Sequence, residues 1–241
     1  MHIDKSFHST NYDERESGII DFIIIHHTRI PFKESVARLC SKEAKVSAHY
    51  IIKNDGKIFQ LLEDDMRAWH AGQSYWRGIS ALNDRSIGIE LDNNGNEPFA
   101  TKQIESCINL CKLLKERYSI DRNNIIGHSD IAPTRKIDPG PYFPWDLLDR
   151  ENLGIAIPSS TSTSHAIEPL SPLQIQTALS KIGYKVELTG ILDEQTNFVI
   201  RAFILHFCAK NAPKEITKLQ DPNTTFKLDR DASIILESLV E

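Results

Sequence analysis

The sequence predicts an α/β fold, a mixed central β-sheet covered by helices, followed by a small C-terminal three-helix domain. Three observations predict it. Short β-branched runs alternate with amphipathic helical segments over roughly the first 154 residues. A Ser-, Thr- and Pro-rich stretch without apolar periodicity follows. After it come only segments of helical period with cap residues at their starts. The length of 241 residues fits one large and one small unit. The expected boundaries are residues 1–154, a linker at 155–167 and a helical domain at 168–241, the linker implying independent folding.

In the first domain, residues 21–27 (DFIIIHH) form a run short enough for a buried strand. Residues 49–53 and 57–61 flank Asn54-Asp55-Gly56, a turn signature, and read as a hairpin. Residues 86–91 and 124–127 read as further strands, and 31–42 as a helix. Over residues 101–118, Ile104, Cys107, Ile108, Cys111, Leu114 and Tyr118 recur at spacings of three and four, the mark of a core-facing helix. That places Cys107 and Cys111 inside as reduced core thiols; with Cys40 and Cys208 they form no Cys-x-x-Cys pair. In the C-terminal domain, Ser171-Pro172-Leu173-Gln174 has the form of a capping box with proline at the first helical position. Asp193 caps a second helix to about 209, and a third spans 230–240. This domain shows no cluster of His, Cys and carboxylates, so its expected work is binding or structural.

Composition narrows the function. With 40% apolar and 25% charged residues and a net charge of −5, the chain has no basic stripe for nucleic acid. Its longest apolar run is far too short to span a bilayer. Five of the nine histidines, His26, His27, His49, His70 and His128, fall at strand ends or in adjoining loops. His26 and His27 close an apolar strand, and His128 closes another. Asp138 lies ten residues on, in a loop stiffened by Pro133, Pro139, Pro141 and Pro144. Two imidazoles and one carboxylate, with a fourth position open, make a catalytic zinc site. Neighbours on a strand point to opposite faces, so one of His26 and His27 belongs to it; spacing does not say which.

Residues 23–28 (IIIHHT), 47–52 (SAHYII), 68–72 (AWHAG), 76–78 (WRG), 82–91 (LNDRSIGIEL), 126–133 (IGHSDIAP) and 135–145 (RKIDPGPYFPW) carry a resemblance. In this order the chain resembles the zinc-dependent N-acetylmuramoyl-L-alanine amidases of the amidase-2 type, related to phage T7 lysozyme and the peptidoglycan recognition proteins. It is most similar to their AmiD- and AmpD-like bacterial branch. The stretch GYKVELTGILDEQT with AFILHF resembles the helical peptidoglycan-binding domain attached to that branch.

The resemblance implies one Zn2+ per chain, with His26, His128 and Asp138 as ligands. Glu90 then serves as the acid/base for the zinc-activated water, and Lys136 as the oxyanion donor. The family's phage branch carries a tyrosine where this chain has Ala48, which throws more weight onto Glu90. His49, Trp69, His70, Trp76, Arg77 and Asn83 are candidates to line a sugar-peptide groove, with packing as the alternative for each. The implied reaction is hydrolysis of the amide between N-acetylmuramic acid and L-alanine, in peptidoglycan or in (anhydro)muropeptides. The competing readings are a non-catalytic peptidoglycan recognition protein, which usually lacks a complete metal set, and a zinc peptidase cutting the stem peptide. Expected location is cytoplasmic if Met1 is the native start, and the periplasm or envelope if a signal was removed.

Overall fold

The computed structural model describes residues 1–158, 169–209, 216 and 225–240. Residues 159–167 of the expected linker lie outside the described residues. Six strands form the main sheet: β1 (Ile3–Asp4), β3 (Phe22–His27), β4 (Tyr50–Ile52), β5 (Ile58–Gln60), β9 (Ser86–Leu91) and β10 (Ile125–Gly127). Their order is β1-β5-β4-β9-β3-β10. Strands β4, β9, β3 and β10 run parallel, and β5 returns antiparallel to β4 across the Asn54–Gly56 turn. The sheet is therefore mixed, as expected. Two small antiparallel pairs lie outside it: β2 (Tyr12–Glu14) with β6 (Met66–Ala68), and β7 (Tyr75–Trp76) with β8 (Ile79–Ser80).

Strand β3 is apolar on both faces because it is covered on both. Ile23 and Ile25 join Ile87, Ile89 and Leu91 of β9 in one apolar cluster. Helix α2 (Thr101–Tyr118) covers it with Ile104, Cys107, Leu110, Cys111 and Leu114. Both cysteines are fully buried, while Ile108 and Tyr118 flank the stripe. Phe22 and Ile24 point the other way and belong to a second cluster with Ile126. That alternation sorts the histidines: His26 shares a face with Phe22 and Ile24, and His27 shares one with Ile23 and Ile25. The register pairs His26 with Glu90, so imidazole and carboxylate stand side by side at the C-terminal ends of parallel strands.

The remaining helices are α1 (Phe32–Cys40), α3 (His128–Ile131), α4 (Trp145–Arg150), α5 (Pro172–Ile182), α6 (Glu194–Phe207) and α7 (Arg230–Ser238). The last three are the predicted C-terminal helices. Ser171 and Gln174 close the capping box of α5; Asp193 accepts from Thr196 N at α6, and Asp229 from Ala232 N at α7. The three helices pack against the sheet domain. Ile175, Leu179 and Ile182 of α5 and Val199, Phe203 and Ile204 of α6 share one apolar cluster with Phe22, Ile24, Trp76 and Ile126. The helical unit is the second cover of the sheet. No helix among the described residues is long and apolar enough to cross a membrane.

Candidate active site

The strand ends build the site. His26 is the last residue but one of β3, and His128 opens α3 directly after β10, the parallel neighbour of β3. Asp138 arrives from the proline-rich loop. His26 Nδ1 lies 2.9 Å from His128 Nδ1 and 3.1 Å from Asp138 Oδ2, and His128 Nδ1 lies 3.0 Å from the same oxygen. Among the described residues, this is the one group of three or more His, Cys, Asp and Glu arranged to hold a metal ion. Burial, then the neighbouring His128, pushes the His26 ring down to about 4. Burial works against ionisation of Asp138, but the charge and hydrogen bonds of the two imidazoles outweigh it and hold the carboxyl well below its ordinary range. Neutral imidazoles and an ionised carboxylate are the ligand forms of these side chains. Zinc bonds of about 2.0–2.1 Å in a tetrahedron place donor atoms roughly 3.3 Å apart, so the cluster fits zinc after a few tenths of an ångström of opening.

The far nitrogens of both imidazoles are tied. His128 Nε2 donates to Ala71 O at 3.3 Å. His26 Nε2 lies 3.0 Å from His70 Nδ1, His70 Nε2 lies 3.2 Å from Ser86 Oγ, and Ser86 Oγ donates to Leu82 O at 2.6 Å. With Nδ1 of His26 facing the metal position, only one direction satisfies this chain: His26 donates to His70, His70 to Ser86, and Ser86 to the carbonyl. His70 thus fixes the orientation and tautomer of His26. Gly88 makes room for it, since a Cβ there would stand 2.5 Å from His70 Cγ.

Glu90 lines the same cavity, of about 440 Å³, as the three ligand candidates, His27, Trp69, His70 and Lys136. Its Oε2 is buried without a hydrogen-bond partner. Burial, then the charge of Asp138, pushes the carboxyl up to about 8. No arginine pairs with it among the described residues, which removes the reading of Glu90 as half of an edge ion pair.

The expected groove residues divide. Trp69 and His70 reach the cavity, and Trp69 Nε1 is anchored by Asp13 at 2.7 Å. The other four stand elsewhere. His49 is fully buried just before β4, where Nδ1 accepts from Gly88 N at 3.0 Å and Nε2 donates to Met66 O at 3.0 Å. Trp76 is fully buried against Tyr184, with ring centroids 4.9 Å apart. Arg77 donates to Ile182 O at 3.0 Å. Asn83 Oδ1 accepts from His70 N and Ala71 N, shaping the turn that carries His70. Arg29, Arg38 and Ser47 also line the cavity and were not singled out from the sequence; α1 and its flanking loops bring them there, and no local motif marks them. His27, on the opposite face of β3, is held against Gly95 and also borders the cavity.

The sequence pattern of the Amidase_2 family, N-acetylmuramoyl-L-alanine amidase, matches residues 16–141. The chain belongs to this family. It is 38% identical over 210 residues to the N-acetylmuramoyl-L-alanine amidase AmiD of Escherichia coli, covering 78% of this chain and 75% of that one. It is 44% identical over 115 residues to the 1,6-anhydro-N-acetylmuramyl-L-alanine amidase AmpD of Enterobacter cloacae, which covers 48% of this chain and 59% of AmpD. Among solved structures it is similar to E. coli AmiD in complex with the substrate anhydro-N-acetylmuramic acid-L-Ala-D-gamma-Glu-L-Lys. That match has a TM-score of 0.73 and 33% identity, over 91% of this chain and 88% of that one. It is also similar to AmpDh3 of Pseudomonas aeruginosa, with a TM-score of 0.76 and 30% identity over 96% of this chain and 93% of that one. The last two matches extend well past residue 141, so the similarity takes in C-terminal helices as well as the sheet. As an amidase, the chain is a hydrolase.

Proposed function

We propose that the chain hydrolyses the amide between N-acetylmuramic acid and L-alanine in muropeptides, anhydro forms included, with zinc held by His26, His128 and Asp138. The observation that carries this reading is the unpartnered Oε2 of Glu90 beside the buried His-His-Asp cluster. A carboxyl oxygen buried without a partner is costly to keep and serves no structural pairing. The family's AmpD members and the substrate in the AmiD complex support the anhydro-muropeptide class.

Zinc bound by these ligands supplies an acidified water and a polarised carbonyl. Glu90 takes the proton of the attacking water and returns it to the leaving amine. Burial, then the charge of Asp138, raises its carboxyl in the metal-free protein; the positive charge of bound zinc would lower it again and favour the carboxylate that takes the proton. Lys136 lines the cavity two residues before Asp138 and donates to the oxyanion as charge develops there. Trp69 offers an apolar wall for the sugar or the peptide. A recognition protein without chemistry needs neither a complete ligand set nor an unpaired acid, which disfavours that reading.

Mass spectrometry of the products from an anhydro-muropeptide tests the proposal. The expected products are the free peptide beginning with L-alanine and the anhydro sugar. Exhaustive chelation stops the reaction and added zinc restores it. Cleavage within the stem peptide, or full turnover after chelation, refutes it.

A further inference from the structure

The C-terminal helical unit reaches the segment that carries two of the three ligand candidates. Tyr184, just after α5, donates from its hydroxyl to Asp130 Oδ1 at 2.7 Å. His206 of α6 donates from Nδ1 to Asp130 Oδ2 at 2.7 Å. The same carboxylate oxygen accepts from Gly127 N at 2.8 Å and so closes the first turn of α3, which begins at His128. Asp130 is 1% exposed, and the His206 ring stacks on Trp145 at 3.9 Å and 8°. Trp145, Asp130 and Pro139 all press on Gly127: a Cβ there would stand 2.8 Å from Pro139 Cδ and 3.2 Å from each of the others. Gly127 is the chain neighbour of His128, and Pro139 that of Asp138. Arg201 of α6 also donates to Pro133 O at 2.6 Å, within the loop between the two ligands.

We propose that Tyr184 and His206 are positioning residues for the metal centre, and that the C-terminal unit thereby sets how tightly the catalytic domain holds its metal. This rests on the zinc reading above. Neither side chain touches substrate or metal; both act through Asp130 on the backbone that presents His128 and Asp138. Asp130 has three donors, and two of them come from the C-terminal unit. Without those two, a buried carboxylate keeps only the Gly127 amide, and it gains by turning toward other donors or water. The first turn of α3 then loses its anchor. Groups behind metal ligands commonly contribute about 10–100-fold in affinity.

The test is zinc affinity in the full chain, measured by competition with a chromophoric chelator well below the melting temperature. The visible spectrum of the cobalt-substituted protein serves as a second readout. Tyr184→Phe with His206→Leu is expected to weaken zinc binding roughly 10–100-fold and to alter the cobalt bands. Tyr184→Phe alone is expected to fall between that and the parent. Tyr184→Phe with His206→Asn, which keeps a donor near the Nδ1 position, is expected to recover part of the loss. A merely structural role lowers the melting temperature and leaves affinity and cobalt spectrum unchanged. That result in the folded double variant, or in Tyr184→Phe if the double variant does not fold, overturns the proposal. Parent protein that binds no zinc overturns the zinc reading itself, and this inference with it.

Discussion

Replacing Glu90 by glutamine separates a working acid from a structural one, because the two roles predict opposite changes in stability. The Glu90 carboxyl is raised from 4.5 to about 8 by burial, foremost, and by the charge of Asp138. The folded state therefore binds this proton more tightly than the unfolded state. The sign follows: the stability tied to that proton is complete below about pH 4.5 and is lost as pH rises toward 8. From 4.5 to an assay pH of 7 there are 2.5 pH units, at about 1.4 kcal/mol each, so the carboxylate costs the metal-free protein at most about 3.5 kcal/mol. Its open cavity admits water and reduces this to roughly 1–2 kcal/mol. Glutamine has nearly the same shape and no charge to desolvate. Metal-free Glu90→Gln is thus expected to melt roughly 2–8 °C higher than the parent at pH 7–8. The two should converge near pH 5. Turnover by the zinc-loaded variant should fall by roughly 10²–10⁴, with zinc content unchanged. Differential scanning calorimetry across pH, zinc analysis and turnover on one preparation decide it. A lower melting temperature at pH 8 would mean that the carboxylate is paired and structural. Near-normal turnover in a zinc-loaded variant would place the proton on another group.

His70→Ala breaks the donor chain behind His26, and zinc affinity is expected to weaken about 10–100-fold in chelator competition. Unchanged affinity would refute the orientation assigned to His26. Gly88→Ala pushes a methyl into the His70 ring; it should weaken zinc in the same assay and lower stability by roughly 1–3 kcal/mol. Leu179→Ala, at a fully buried position in the cluster shared by helices and sheet, should cost about 2–5 kcal/mol. It should shift one calorimetric transition of the whole chain; two transitions, with only one moved, would show that the helical unit melts on its own.

Much of the site was legible because strand period does two tasks at once. Alternation in β9 put Ile87, Ile89 and Leu91 on one face and left Glu90 on the other, and the structure pairs Glu90 with His26 across the strands. The same alternation in β3 separates His26 from His27 once the covering layers are known. Spacing alone gave no way to tell which face of β3 held the site, because the strand is apolar on both. His49, Trp76, Arg77 and Asn83 read as groove residues for a different reason. They sit in polar, loop-rich segments near strand ends, where binding residues and loop-shaping residues have the same composition. Asn83 illustrates it: its amide oxygen is spent on two backbone donors that shape the turn of His70.

The contribution of the C-terminal unit was illegible for a deeper reason. Helical period shows that α5 and α6 each have an apolar face, and strand period shows that Phe22 and Ile24 need cover. Neither pattern says that one covers the other, since burial is non-directional and records only area removed from water. Polar partners carry that information instead. Asp130 reads locally as the third residue of a short helix behind a glycine, which explains one hydrogen bond and leaves most of a buried carboxylate unaccounted for. Two more donors had to come from somewhere, and Tyr184 and His206 supply them from the helices beyond the Ser/Thr-rich stretch. A buried acid with too few local donors is thus a sign, readable in principle from a first-turn aspartate two residues after a candidate ligand histidine, that a distant part of the chain must pack there.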